Sequence, residues 1–370
     1  MTLQERSLSV DVLRGLTLAL MIVVNMSVSD EASYGQLLHA SWHGLTLTDL
    51  VFPTFLFAVG ASLSYALAKY QQRGDAAVLN KVLTRAGLIF LCGYLLYWFP
   101  FFTMDQAGHL ALRPISHTRI FGVLQRIALA YAGAALIVHY GGRRAAATFG
   151  IAALLGYWAL LYYFGDYTLA GNAALKVDLA LLGEAHLYHG EGVAFDPEGI
   201  LGTLPAIVNV LAGFLAARYV RERGRNYHGV VRLLLVGGLC VIAALAWNSV
   251  LPINKKLWTS SYVLCATGID LCVLALLVVL VELRSSGGWS WIFEVLGKNT
   301  LFIYLLSEVG NTVMVLTPIG NQSLFVWLYS HVFQPLAGVK NGALLYALTY
   351  MMCCWLVAYA MDRRRIYIKL

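Results

Sequence analysis

The sequence predicts an all-α polytopic membrane protein of about ten transmembrane helices, with both chain ends on the cytoplasmic side. Three observations predict it. Hydrophobic residues make up 59% of the 370 positions and charged residues only 12%, with a mean hydropathy of +0.70. That charged share is about half of what a soluble domain carries. The apolar residues fall in runs that match the roughly 20 residues needed to cross a bilayer core. The basic residues, finally, are placed unevenly along the chain. This composition excludes disorder, which needs low hydrophobicity and high charge, and it argues against a soluble enzyme. The net charge of +7 is not a nucleic-acid signal. In a membrane protein the position of basic residues matters more than their total.

The apolar runs lie near 8–28, 47–68, 86–103, 119–139, 146–164, 200–218, 230–250, 260–282, 291–312 and 342–361. The first contains Asp11 and Arg14 and lacks a small-residue cleavage site, so it reads as a span and not a cleavable leader. The second follows HASWHGLTLTDLVFP, and the fourth opens with HTRIFGVLQRIALAY. FDPEG precedes the sixth, where Asp196 and Glu198 complement a helix dipole and Pro197 suits a first turn. LPINKKLWTSSY leads into the eighth, which carries Asp270 near its middle. Glu294, Lys298 and Asn299 open the ninth on the cytoplasmic side. The segment 321–338, with Trp327 and Tyr329, is short and amphipathic and belongs at the interface.

An even number of spans puts both termini on one side. With the N-terminus inside, 18 basic residues face the cytoplasm, six face outward, and Arg126 and Lys298 fall within spans. That bias fixes an N-in and C-in topology. All six cysteines lie inside apolar stretches and read as small buried hydrophobes. No linker or internal repeat divides the chain, which is read as one domain, 1–370.

The outer segments differ from the inner ones. They carry seven of the nine histidines, counting His331, and many carboxylates. Asn25 lies about 25 Å along the first helix, near the outer edge of a core roughly 30 Å thick. His39 follows in the outer loop, and Asp49 sits at the outer start of the second span. An amide, an imidazole and a carboxylate at one depth suit a nucleophile or general base with orienting groups. The bland alternative is a solvated loop histidine and a capping asparagine. His39 and His43 are four apart and could share a helix face, but no third ligand has a recognisable spacing, so no metal site is predicted.

Arg119 and Arg126 share a helix face, and Arg126 lies about 10 Å inside the outer boundary. A charge there needs a partner or a cavity. It either pairs with Asp270 or lines a polar channel, with Gln125, for an anionic or amide-rich ligand. Lys298 either pairs with Glu294 at i, i−4 or contacts ligand phosphates, and Arg14 pairs with Asp11, snorkels, or does the same. Lys255 and Lys256 lie on the disfavoured outer side, which is compatible with binding.

The stretches SLSVDVLRGLTLALMIVVN, LLHASWHGLTLTDLVFPTFLFAVGASLS, FGVLQRIALAY, FDPEGILGTLPAI, LPINKKLWTSSYVL, LGKNTLFIYLLSEV and RRRIYIKL run in order over nearly the whole chain. On them the sequence resembles the heparan-α-glucosaminide N-acetyltransferase family and its bacterial inner-membrane relatives. The resemblance implies a transmembrane acyltransferase that moves acetyl from cytosolic acetyl-CoA to an amine of a periplasmic, glucosamine-type amino sugar. It implies that His39 is the active histidine, as nucleophile or general base, that Asn25 orients it or holds the acetyl carbonyl, and that Asp49 matches the family's aspartate. It implies a homodimer in the bacterial inner membrane, in contact with lipids and with no nucleic acid. The pantetheine arm would then run past Gln125, Arg126 and Asp270, with the nucleotide near Arg14, Lys298 and Asn299. A competing reading is a transporter of amino sugars such as N-acetylglucosamine, although no inverted repeat or paired broken helices are evident.

Overall fold

The computed structural model describes residues 7–104, 109–284 and 287–368. Arg6, Lys369 and residues 105–108, which entered the topology and loop readings, lie outside the described residues. The helices are α1 (Leu8–Asn25), α2 (Leu47–Gln71), α3 (Asp75–Trp98), α4 (Val123–Phe164), α5 (Ala173–Leu182), α6 (Thr203–Tyr219) and α7 (Tyr227–Trp247). They continue with α8 (Ser260–Leu277), α9 (Ser290–Lys298), α10 (Thr300–Leu316), the short α11 (Leu324–Leu328) and α12 (Gln334–Ala337), and α13 (Val339–Arg363). An antiparallel hairpin of β1 (Phe102–Met104) and β2 (Leu110–Leu112) follows α3.

Among the described residues, eight helices are long and apolar enough to cross a bilayer, and the pair α9–α10, bent by 82°, makes a ninth candidate. At 1.5 Å per residue the 42 residues of α4 span roughly 63 Å, about two bilayer cores. The chain breaks helical geometry there at Gly142 (φ 67°, ψ −160°), a left-handed backbone that favours glycine. Counted as two crossings, α4 brings the total to the ten apolar runs of the sequence. The third helix begins at Asp75, eleven residues before its expected start. The 321–338 segment opens on Gln322–Ser323, paired antiparallel with Pro318–Ile319, and continues as helical turns from Leu324 to Ala337.

The helices form two layers. In α1, α2, α6 and α8, 61% of the apolar window is buried inside the protein, against 28% in α3, α7 and α13. The outer layer shows large apolar side chains such as Ile151, Leu155, Leu235, Leu239 and Ile242, which suits a lipid surround and not water. The inner layer closes by backbone contact. A Cβ on Gly60 of α2 would lie 1.8 Å from the Val210 carbonyl oxygen of α6, and one on Gly213 of α6 would lie 1.9 Å from that of Phe57. Without a hydrophobic drive between helices in lipid, such small-residue contacts let packing hold the bundle.

The start of α1, the end of α9 and the end of α13 meet at one end of the bundle. Arg14 of α1 donates to the Gly297 carbonyl of α9, and Lys298 pairs with Asp362 of α13 at 2.8 Å. The loops between α1 and α2, α5 and α6, and α7 and α8 gather at the opposite end, where Trp42 bonds Tyr167 and Gly44 bonds Ile253.

Candidate active site

The start of α2 is built by a local code. Thr46 is the N-cap, and its hydroxyl and the Asp49 carboxylate close a capping box on each other's backbone amides. Asp49 Oδ2 accepts the N–H groups of Thr46 at 3.0 Å and Ala40 at 3.1 Å. That leaves Oδ1, which lies 2.7 Å from His39 Nδ1. Four residues on, Pro53 has no N–H to give to the Asp49 carbonyl. Tyr262 of α8 supplies the missing donor, its hydroxyl 2.5 Å from that carbonyl. The carboxylate is therefore fixed on a rigid helix end that is pinned to the inner layer.

The His39–Asp49 pair is asymmetric. The Asp49 side chain is 1% exposed and the His39 side chain 46%. A carboxylate can only accept, so the Nδ1 proton lies toward Asp49 and the lone pair is left on Nε2. Lys255 Nζ lies 3.2 Å from Nε2. Burial pulls the Lys255 ammonium below the ordinary lysine range, while the Glu198 and Asp49 carboxylates pull it upward. Lys255 is held there by its loop. Asn254 Oδ1 accepts the Leu257 N–H, and the Asn254 N–H is accepted by Thr259 Oγ1. Trp258 sits in the left-handed region (φ 53°), buried against Phe52 and Tyr262. Its neighbour Lys256 is tied to Glu191 and to the Ser41 carbonyl. His43 points elsewhere, to Asn254 Nδ2, and burial lowers its pKa.

Asn25 is at the end of α1, as expected, but it gives Nδ2 to Glu308 of α10 at 2.7 Å. Arg126 and Asp270 are both fully buried and do not pair. Arg126 donates to the Gly199 carbonyl and lies over the Trp258 ring, while Asp270 Oδ1 is 2.6 Å from the Thr54 hydroxyl. Arg119 is bound by Asp196 and Glu198 at 2.6 Å and stacks between Tyr97 and Tyr188. The FDPEG carboxylates thus anchor the α4 entrance, and they do not cap the sixth helix as expected, because α6 starts only at Thr203 with no acidic residue in its first turn. Lys298 pairs with Asp362, whereas Glu294 accepts from Ser290, so the i, i−4 pair is replaced by a long-range one. Both ends of the Asn299 amide are bonded to the C-terminal segment, at Ile366 and Ile368. Arg14 contacts Asp11, Ser62 and Gly297. A phosphate reaching Arg14 or Lys298 would compete with a carboxylate at each.

Sequence reasoning missed two partners. Lys255 is 216 residues from His39, and only its position on the outer side marked it. Glu308 is a carboxylate inside an apolar run, a signal the intramembrane-charge argument should have caught.

One buried group supports a stability prediction. Asp178 on α5 accepts the Ile200 N–H, and burial pushes its pKa up to about 6. In an unfolded chain it titrates near ~3.9. The fold therefore binds that proton more tightly than the unfolded chain, so stability is lost as the pH rises from about 4 to about 6. Asp178→Asn keeps the acceptor and removes the charge. It is expected to raise Tm near neutral pH, with an upper bound of about 3 kcal/mol, and the gain should vanish below about pH 4. An unchanged difference across that range, read by differential scanning fluorimetry, would refute it.

Comparison with known proteins adds to this geometry. A family profile described as "Heparan-alpha-glucosaminide N-acetyltransferase, catalytic" matches residues 6–242. The human protein named heparan-alpha-glucosaminide N-acetyltransferase is 29% identical over 372 aligned positions, covering 83% of this chain and 53% of its own length. The mouse protein of the same name is 28% identical over 361 positions, covering 81% and 53%. The chain spans about half the length of the curated relatives it matches.

Proposed function

This chain belongs to the heparan-alpha-glucosaminide N-acetyltransferase family, and we propose that it is a membrane acetyltransferase that uses acetyl-CoA from the cytoplasmic side of a bacterial inner membrane. The acceptor is the amine of an amino sugar on the periplasmic side. The observation that carries this reading is the His39 Nδ1–Asp49 contact at 2.7 Å, with Lys255 Nζ 3.2 Å from Nε2. It stands at the opposite end of the bundle from the Lys298–Asp362 pair.

His39 acts as the general base in this proposal. Nε2 takes a proton from the acceptor amine as its nitrogen bonds to the acetyl carbonyl carbon. The carbon–sulfur bond then breaks, and the leaving thiolate takes the proton held on His39 Nε2, which restores the neutral imidazole. Asp49 holds the imidazole in the reactive tautomer and stabilises the imidazolium. Lys255 offers a cation to the carbonyl oxygen as it becomes an oxyanion.

The test is transfer in proteoliposomes, with acetyl-CoA on one side and glucosamine on the other. N-acetylglucosamine should form only when both are present. Flux of labelled N-acetylglucosamine without acetyl-CoA and without transfer would overturn the reading in favour of a transporter. Lys255→Met is expected to lower kcat by about 10²–10³-fold, with little change in the KM for the amine, and Lys255→Arg to restore part of it. Equal kcat in Lys255→Met and the native chain would remove Lys255 from the mechanism.

A further inference from the structure

On α13 the side chains of Leu345, Leu348, Met352 and Leu356 are exposed at spacings of three and four, so they form one apolar stripe along the helix. Tyr359 and Arg363 continue the same stripe at the next two steps. From Leu345 to Arg363 the helix rises about 27 Å, close to a bilayer core of roughly 30 Å. Arg363 therefore stands at headgroup depth on the lipid-facing side. An aromatic edge lies beside it. Trp355 and Tyr359 stack at 5.2 Å, Trp291 of α9 packs on both, and the Arg363 guanidinium is 6.0 Å from the Tyr359 ring centre. Tryptophan and tyrosine collect at membrane interfaces because each joins an apolar ring to a polar tip.

Arg364 and Arg365 follow directly, and all three arginines are exposed. Among the described residues none of the three has a carboxylate partner, because the neighbouring Asp362 is taken by Lys298 and Tyr367. They are also held in place. Arg365 makes a left-handed turn (φ 57°), and the chain after it ties onto the bend between α9 and α10, where Asn299 donates to the Ile366 carbonyl and accepts the Ile368 N–H. Topology accounts for positive charge at this end of the bundle, but it does not call for a fixed arginine triplet against an aromatic edge. We propose that Arg363, Arg364 and Arg365, with the edge of Tyr359, Trp355 and Trp291, form a binding site for the headgroup of an anionic phospholipid. The expected topology puts that lipid in the cytoplasmic leaflet. Guanidinium groups pair with phosphate oxygens two bonds at a time, the rings take the glycerol and upper acyl carbons, and the α13 stripe takes the chain. This site stands apart from the reaction proposed above and does not depend on it.

The experiment titrates the purified full chain with phosphatidylglycerol and with phosphatidylcholine of the same acyl length, and reads the Kd of the first bound lipid by native mass spectrometry. The native chain is expected to bind phosphatidylglycerol at least about tenfold more tightly. A triple variant, Arg363→Gln with Arg364→Gln and Arg365→Gln, should erase that preference. Its Kd for phosphatidylcholine and its Tm should stay native, because exposed side chains contribute little to stability. Tyr359→Leu keeps every charge and should lower the preference about threefold through loss of the cation–π contact. It also decides the matter should the triple variant fail to insert. Equal Kd for the two lipids in the native chain, or a native preference in either variant, would overturn the proposal. So would displacement of bound phosphatidylglycerol by an equal concentration of ADP, which would make the arginines a site for soluble phosphates.

Discussion

His39→Ala is expected to abolish acetyl transfer while acetyl-CoA still binds. The Nε2 lone pair is the base in this site, and loss of a positioned base costs about 10²–10⁴ in rate. A fall in kcat at the upper end of that range is expected, because Lys255, the group 3.2 Å from Nε2, serves as a cation and does not replace the base. The variant should fold. The His39 side chain is 46% exposed, and Asp49 Oδ2 keeps its backbone donors whether or not the imidazole is present. Lys255 can also move to the freed Oδ1. Transfer is read with purified protein in detergent, beside Tm and acetyl-CoA affinity. More than a tenth of native kcat, with native affinity, would take the reaction away from this histidine.

The fold was legible where its causes are local. Each span showed as an apolar run, and the turn inside α4 falls where Gly142 stands next to Arg143 and Arg144. The break between α9 and α10 was not legible. Hydropathy averages over residues 291–312 and reads one span, whereas the chain bends by 82° at Asn299, where φ is −126° and ψ is 36°. The same distinction holds in the site. His39 and Asp49 are ten residues apart, and the Thr46 capping box brings them together. Lys255 with His39 and Glu308 with Asn25 meet across 216 and 283 residues. Sequence gives the chemical cost of placing Glu308 in a membrane, but only packing decides who meets that cost. Arg126 shows the same limit. Its need for a partner was evident, yet the suspected Asp270 does not supply it: one guanidinium nitrogen donates to a backbone carbonyl, the Trp258 ring lies beside the group, and among the described residues Nε and Nη1 have no hydrogen-bond partner.

Asp49→Asn and Asp49→Ala separate two roles of one carboxylate, and their order is the informative result. Asp49 Oδ2 accepts two backbone N–H groups, from Thr46 and Ala40. An asparagine must place its carbonyl oxygen there, because an NH₂ group cannot accept. Its NH₂ group then faces His39 Nδ1 and donates to it. Nδ1 becomes an acceptor, the ring proton moves to Nε2, and the lone pair that should take the substrate proton is gone. The expected loss in kcat is about 10³–10⁴, with Tm close to native because the helix cap survives. Alanine has the opposite profile. It deletes the cap, which costs about 1 kcal/mol or more, and strands the amides of Thr46 and Ala40. Yet it leaves the imidazole free to adopt either tautomer. Asp49→Ala is therefore expected to be the less stable variant and the more active one. If Asp49→Asn retains more activity than Asp49→Ala in the transfer assay, Asp49 serves the loop's structure and does not set the tautomer of His39.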